Sequence, residues 1–277
     1  MLLTNSALLR MSFLLIPAWV AVAQPPPPMY PPAELDRLVQ RIALYPDPLL
    51  AQVLAASTYW DQIPEADMWA NQHKYLRGDQ LAAAIAADRL PWDPAVQAIL
   101  PFPNILHMMN SDMAWTQAVG TAFLNQNAGV MDAVQRDRQI AYGYGYLRSN
   151  AYYSVAYAPR MIVINPINPG LIYVPAYDPL VVYARPRAGF VVGGAITFGA
   201  GFAIGAAFAP WGWGGVHFGW GEHTVIIHDH PWARTYVNRT TYVHPYSAPR
   251  YDAAHRAPET HRLEEHHDER REEHRGR

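Results

Sequence analysis

Apolar residues in the first half of the chain recur at helical spacing. Leu35, Leu38, Val39 and Ile42 stand at i, i+3, i+4 and i+7, a single stripe on an otherwise polar stretch. Leu49, Leu50, Val53 and Leu54 form the next buried face, announced by Tyr45-Pro46-Asp47-Pro48. There Asp47 is predicted to cap the free amides of the first turn. Pro48 fits the first helical position, where a missing N–H costs nothing. The same device recurs with Asp93 and Pro94 after Trp92, opening a short helix through Val96, Ile99 and Leu100. Further helices are expected from about Pro64 to Tyr75 and from Asp79 to Ala87. Ser111 or Asp112 can cap a longer one carrying Trp115, Val119, Ala122 and Phe123 on one face. The last sets Val130, Met131 and Val134 against Asp132, Arg136, Asp137 and Arg138. About seven or eight helices joined by short proline-marked turns describe a compact α domain rather than a coiled coil.

From Tyr142 to Tyr183 the period changes. Tyrosines cluster, and the β-branched runs MIVIN and LIYVP flank Pro166-Ile167-Asn168-Pro169-Gly170. This reads as a β-hairpin, with Val181-Val182-Tyr183 as a third strand after Tyr177-Asp178-Pro179. A lone hairpin is marginal in water, so it is expected to pack on the helices or pair with a partner's edge.

Residues 188–210 read AGFVVGGAITFGAGFAIGAAFAP and carry no charge. Small residues recur at every fourth position: Gly189, Gly193, Thr197, Gly201, Gly205 and Ala209. On a helix this makes a flat stripe suited to close helix–helix packing, and the span of ~35 Å would cross a hydrocarbon core. The segment is therefore expected to be a transmembrane helix or a glycine zipper between proteins, with a flexible linker or buried hairpin as the bland alternative. Its glycines weaken the helix. Arg185 and Arg187 before it run against the positive-inside tendency for an exported domain. The following run WGWGGVHFGWG suits either a membrane interface or a loop packed on the domain. Residues 222–230 and the stretch after them read as short strands. The tail from about Ala248 has almost nothing to bury and is expected to be disordered or an isolated charged helix.

The fold class is thus mainly α. The expected division is a signal peptide (1–23), a proline-rich tether (24–32), a helical domain (33–150) and a β-hairpin extension (151–187). The glycine-rich apolar segment (188–210), an aromatic short-strand region (211–247) and a charged His-rich tail (248–277) follow. The leader rests on Arg10, the apolar run MSFLLIPAWVAVA and Ala21-Val22-Ala23 before Gln24. Export, to a periplasmic or membrane-associated place, follows from it.

Composition changes the picture in two ways. The formal net charge of -2 with Lys74 as the lone lysine gives no basic field for nucleic acid. The count of 0 cysteines rules out disulfides, thiolate metal sites, cysteine nucleophiles and lipid attachment at an N-terminal cysteine.

Several phrases in order carry a resemblance. Ile42-Ala43-Leu44-Tyr45-Pro46-Asp47-Pro48-Leu49-Leu50-Ala51-Gln52-Val53, the Trp92-Asp93-Pro94 helix, Trp115 to Arg138 and Tyr173-Val174-Pro175-Ala176-Tyr177-Asp178-Pro179 resemble the bacterial domain-of-unknown-function family number 3300. The likeness runs from about Glu34 to Tyr183 and on into the glycine-rich segment. It implies an exported, envelope-associated protein, and it implies no activity, cofactor or catalytic residue. Members of that family often carry a longer Trp/Tyr/Pro-rich insert where this chain has only Ala184-Arg185-Pro186-Arg187.

Candidate chemistry is sparse. All but His73 and His107 of the 12 histidines lie from His217 onward. His228 and His230 share a face if they lie on a strand, and are weak candidates for binding Zn, Ni or Cu, with His266, His267 and His274 as loose additions. No Gly-x-Ser-x-Gly elbow, His-Glu-x-x-His helix or phosphate loop occurs. Asp47, Asp93 and Asp178 could be proposed as paired carboxylates for sugar cleavage, but capping explains the first two more simply. The leading expectation is a non-enzymatic envelope protein without a cofactor, partnered by membrane or envelope proteins and self-associating through Gly189, Gly193, Gly201 and Gly205. A periplasmic metal-binding or stress-buffering protein and a cell-wall hydrolase are the alternatives.

Overall fold

The computed structural model describes residues 29–158, 161–187 and 192–234. The leader, Gly189, His266, His267, His274 and the rest of the tail lie outside the described residues. Eight helices occupy residues 32–143: α1 Pro32–Val39, α2 Asp47–Ser57, α3 Ile63–Gln72, α4 Gly78–Asp88, α5 Pro94–Ala98, α6 Pro103–Ser111, α7 Met113–Asn125 and α8 Asn127–Gly143. The spacing arguments place seven of them, and α6 is the eighth. Pro103 opens that helix.

The centre is α2. Every residue in it except Pro48 is buried, as its all-round apolar sequence requires. It packs against α5, α7 and the strand residues 161–166 and 217–219. Contact with α7 is close enough that a Cβ on Gly120 would lie 2.1 Å from the Ser57 carbonyl oxygen, so only glycine fits there. Asp93 caps α5 through the Ala95 N–H at 2.9 Å, with Pro94 at its first turn. Asp112 caps α7 through the Trp115 N–H at 3.1 Å.

The strands correct the hairpin expectation. β1 (Tyr153–Ala158) pairs antiparallel with β2 (Met161–Pro166), so MIVIN finds its partner on the upstream side. β3 (Leu171–Ile172) and β4 (Pro175–Tyr177) pair instead with strands from the glycine-rich segment. Val181 and Val182 belong to a short helix, α9 (Pro179–Val182), capped by Asp178 through the Leu180 N–H at 2.8 Å. The aromatic-Asp-Pro phrase starts a helix here as it does before α5.

Residues 192–210 are not a helix. They form β5 (Ile196–Phe198) on β4, β6 (Phe202–Ala203) on β3, and the opening of a 3-10 turn at Ala206–Trp211. Gly193, Gly201 and Gly205 lie in the connections outside β5 and β6, so they do not gather on one stripe. The reason is energetic: glycine loses most as helix, and the edges of β3 and β4 offer backbone partners instead. Gly201 meets the Tyr173 ring, where a Cβ would stand 2.9 Å away. Among the described residues no helix is long and apolar enough to cross a membrane.

The aromatic run packs on the helices. Trp211, Trp213, Phe218 and Trp220 are buried, and the first two donate to Gln97 Oε1 and the Ala98 carbonyl at 2.8 and 2.9 Å. Phe218 lies on β7 (His217–Gly219) of a three-stranded antiparallel sheet with β8 (Thr224–Ile227) and β9 (His230–Pro231), and Trp220 directly follows β7. One continuous core joins these tryptophans to α2, α5 and α6. A second, smaller core holds Leu44, Tyr146, Tyr153, Ile162, Ile164 and Val182.

Candidate functional site

The first turn of α2 begins one residue earlier than its sequence suggests. Pro46 is the capping position and Asp47 the first helical residue, and the Asp47 carboxylate caps nothing. It turns inward. Oδ1 accepts from Arg138 Nη1 at 2.7 Å and from the Ile164 N–H at 3.3 Å, while Oδ2 accepts from Trp220 Nε1 at 2.8 Å. Arg138 is 0% exposed. Its remaining hydrogen bonds go to the carbonyls of Ala43, Tyr45 and Ile162 at 2.8–2.9 Å, and its guanidinium lies 5.0 Å from the Trp220 ring centre. The capping expectation fails here because an N-cap is worth about 1 kcal/mol. Leaving a buried guanidinium without its counter-ion costs about 3–5 kcal/mol.

This cluster also closes a strand edge. Gln135 holds both the N–H and the carbonyl of Ile162, at 2.7 and 3.1 Å. With Arg138 and Asp47 it supplies the partners that another strand would give to β2. Charged side chains thereby join α2, α8, β2 and the segment after β7.

Three tyrosines, Tyr45, Tyr177 and Tyr183, adjoin the cluster. The Tyr177 hydroxyl accepts from the Leu44 N–H at 3.2 Å, and the Tyr183 hydroxyl donates to the Gln40 carbonyl at 3.1 Å. Burial pushes both hydroxyls above the usual tyrosine range, and lifts Tyr45 to about 12 against the opposing charge of Arg41. Asp137 on α8 is 1% exposed and its Oδ2 has no hydrogen-bond partner. Burial first, and the negative charge of Asp36 second, raise its carboxyl to about 8 against the opposing Arg136. It is therefore a neutral acid at pH 7.

Leu44 and Tyr45, leading into α2, separate two clefts. One of ≈ 280 Å³ lies between residues 145–155 and β5, with Leu44 in its wall. The other, ≈ 470 Å³, lies between α6 and β4 and is walled by Tyr45, Met108, Tyr177 and Phe202. Pro175 borders both. Their walls are mainly apolar, with a few hydroxyl and guanidinium groups at the margins, an arrangement suited to binding.

The other predicted positions are scattered. His228 lies in the turn between β8 and β9, with φ of 54° there and 60° at Asp229, so it does not share a strand face with His230. Its ring reaches the Ala209 carbonyl at 3.0 Å. Among the described residues no group of three His, Asp or Glu side chains could hold a metal ion. Arg138, Asp137, Tyr177 and Tyr183 were not singled out as site residues. The signal for the first was present: Arg136, Asp137 and Arg138 step by 100° around α8, so three charged residues cannot all face water on a helix with packed neighbours.

Residues 31–261 match the family described as "Protein of unknown function (DUF3300)". The chain belongs to this family. The DUF3300 match takes in the whole charged cluster, from Asp47 through Arg138 and Ile164 to Trp220. The chain is also similar to the uncharacterized protein YacH of Escherichia coli (strain K12), 35% identical over 185 residues. That alignment covers 55% of this chain and 30% of YacH. No solved structure matches.

Proposed function

We propose that this DUF3300 protein is an exported cell-envelope protein that acts by binding rather than by catalysis. The observation that carries this reading is the use made of the buried charge. Asp47 and Arg138 close on backbone groups and on Trp220, so the polar centre holds the fold together, while the clefts beside it mix apolar walls with polar groups at their margins. Export rests on the leader pattern from Arg10 to Ala23. In this reading the protein lies in the periplasm or at a membrane, including the outer membrane, and meets the membrane through partners. The strands at 196–203 belong to the folded body rather than to a lipid-embedded helix.

Cell fractionation tests it. The expected result is processed protein in the periplasmic or membrane fraction, with any membrane-bound part released by a carbonate wash. Recovery of unprocessed chain in the cytosol overturns export. Retention after carbonate that is lost on deleting residues 188–210 restores the embedded helix.

A further inference from the structure

We propose that the ≈ 280 Å³ cleft beside Leu44 is a binding site for a small carboxylate with an apolar body, with Arg148 as its anion contact. The apolar part follows from the walls: Leu44, Val155, Ile164, Ile196 and Phe198 border the space. No Asp or Glu is among the bordering residues. The volume suits a ligand of a few to about a dozen heavy atoms, at the small end of ordinary ligand sites.

The anion contact is fixed in advance. Arg148 Nη1 donates to the carbonyls of Tyr142 and Leu147 at 2.6 and 2.8 Å. The guanidinium lies 4.5 Å over the Tyr142 ring, which is itself stacked on Tyr157 at 5.2 Å. These contacts hold the exposed guanidinium in place, and among the described residues Nε and Nη2 have no acceptor, so little freedom is lost when an anion arrives. Arg41, Arg136 and Arg138 each pair with a carboxylate of the chain. Arg148 makes no ion pair among the described residues.

Two further features fit the same ligand. Tyr153, 2% exposed, closes one wall of the cleft with its ring, and its hydroxyl is buried away from the open space. Ser149 and Asn150 are committed to backbone amides of Val155, Tyr152 and Tyr153 and offer the ligand no competing acceptor. Gly145, at φ of 89°, keeps the space beside the guanidinium clear, since a Cβ there would stand 3.8 Å from Nη2 and 3.4 Å from Val192.

Binding to the purified full chain does not depend on export, so this proposal and the cellular one fail separately. The experiment is calorimetric titration with octanoate, octanamide and inorganic phosphate at pH 7. Saturable octanoate binding is expected, with octanamide and the Arg148→Gln variant each about tenfold weaker. The proposal is overturned by no saturable octanoate binding below about 10 mM. Octanamide binding as tightly as octanoate, or Arg148→Gln binding like the parent, also overturns it. Phosphate binding as tightly as octanoate removes the apolar half of the assignment.

Discussion

Two uncharged apolar stretches of this chain have opposite fates. Leu49–Ser57 in α2 is buried on every side, whereas between residues 192 and 209 only Ile204 and Phe208 are buried. Mean apolarity does not separate them; side-chain volume does. Leucines and valines on α2 have surface to remove from water all round the helix, at roughly 25 cal/mol per Å². The glycines and alanines of the later stretch have little to bury, so its backbone pairing decides its form. It becomes two short strands on edges that would otherwise lack partners.

The strongest way to break the first region is at its charged start. Asp47→Ala should cost about 3–5 kcal/mol, because Arg138 stays buried without its counter-ion. Chemical denaturation reads this directly, and a loss under about 1 kcal/mol would mean the cluster is dispensable. The seam between the regions, where Tyr177 and Tyr183 face Asp137, carries the next effect. The Asp137 carboxyl sits near 8 in the folded chain, above its unfolded value of about 4. Between those values the unfolded chain loses a proton that the folded chain keeps, so stability falls as pH rises through that window and levels off above it. Asp137→Asn should flatten this slope and add up to about 4 kcal/mol at pH 7. An unchanged slope from pH 5 to pH 8 would sink the idea.

Two glycine substitutions sharpen the contrast at the scale of one methyl group. Gly120→Ala drives a Cβ into the Ser57 carbonyl and should destabilise by about 1–3 kcal/mol. Gly205→Ala meets nothing within 4 Å at a φ of -67°. It should stabilise by about 0.4–1 kcal/mol through the unfolded chain alone. Equal effects of the two would erase the distinction between a packed contact and an open strand connection.

Much of the helical half was legible because its signals are local. The stripe of Leu35, Leu38 and Val39 and the caps at Asp93 and Asp112 sit within a few residues of what they control. Asp47 carried the same local signal as Asp93, yet its role is set by Arg138, Ile164 and Trp220, residues that no short window contains. The glycine stripe misled for a related reason. A spacing of four has meaning only on a helix, and whether residues 192–210 form one depends on the open edges of β3 and β4 far upstream. For the clefts, the sequence shows Arg148 and Tyr153 but not that residues 192–198 return to face them.

The charged start of α2 also sets an order of events. Its partners lie 91, 117 and 173 residues downstream. A chain emerging from its N-terminus first holds Asp47 long before it holds Trp220, and closing loops of that length is slow compared with forming the helices themselves. The core around α2 thus stays incomplete until nearly the whole described chain is free. Its helices can flicker early, but the centre locks only after Trp220 arrives.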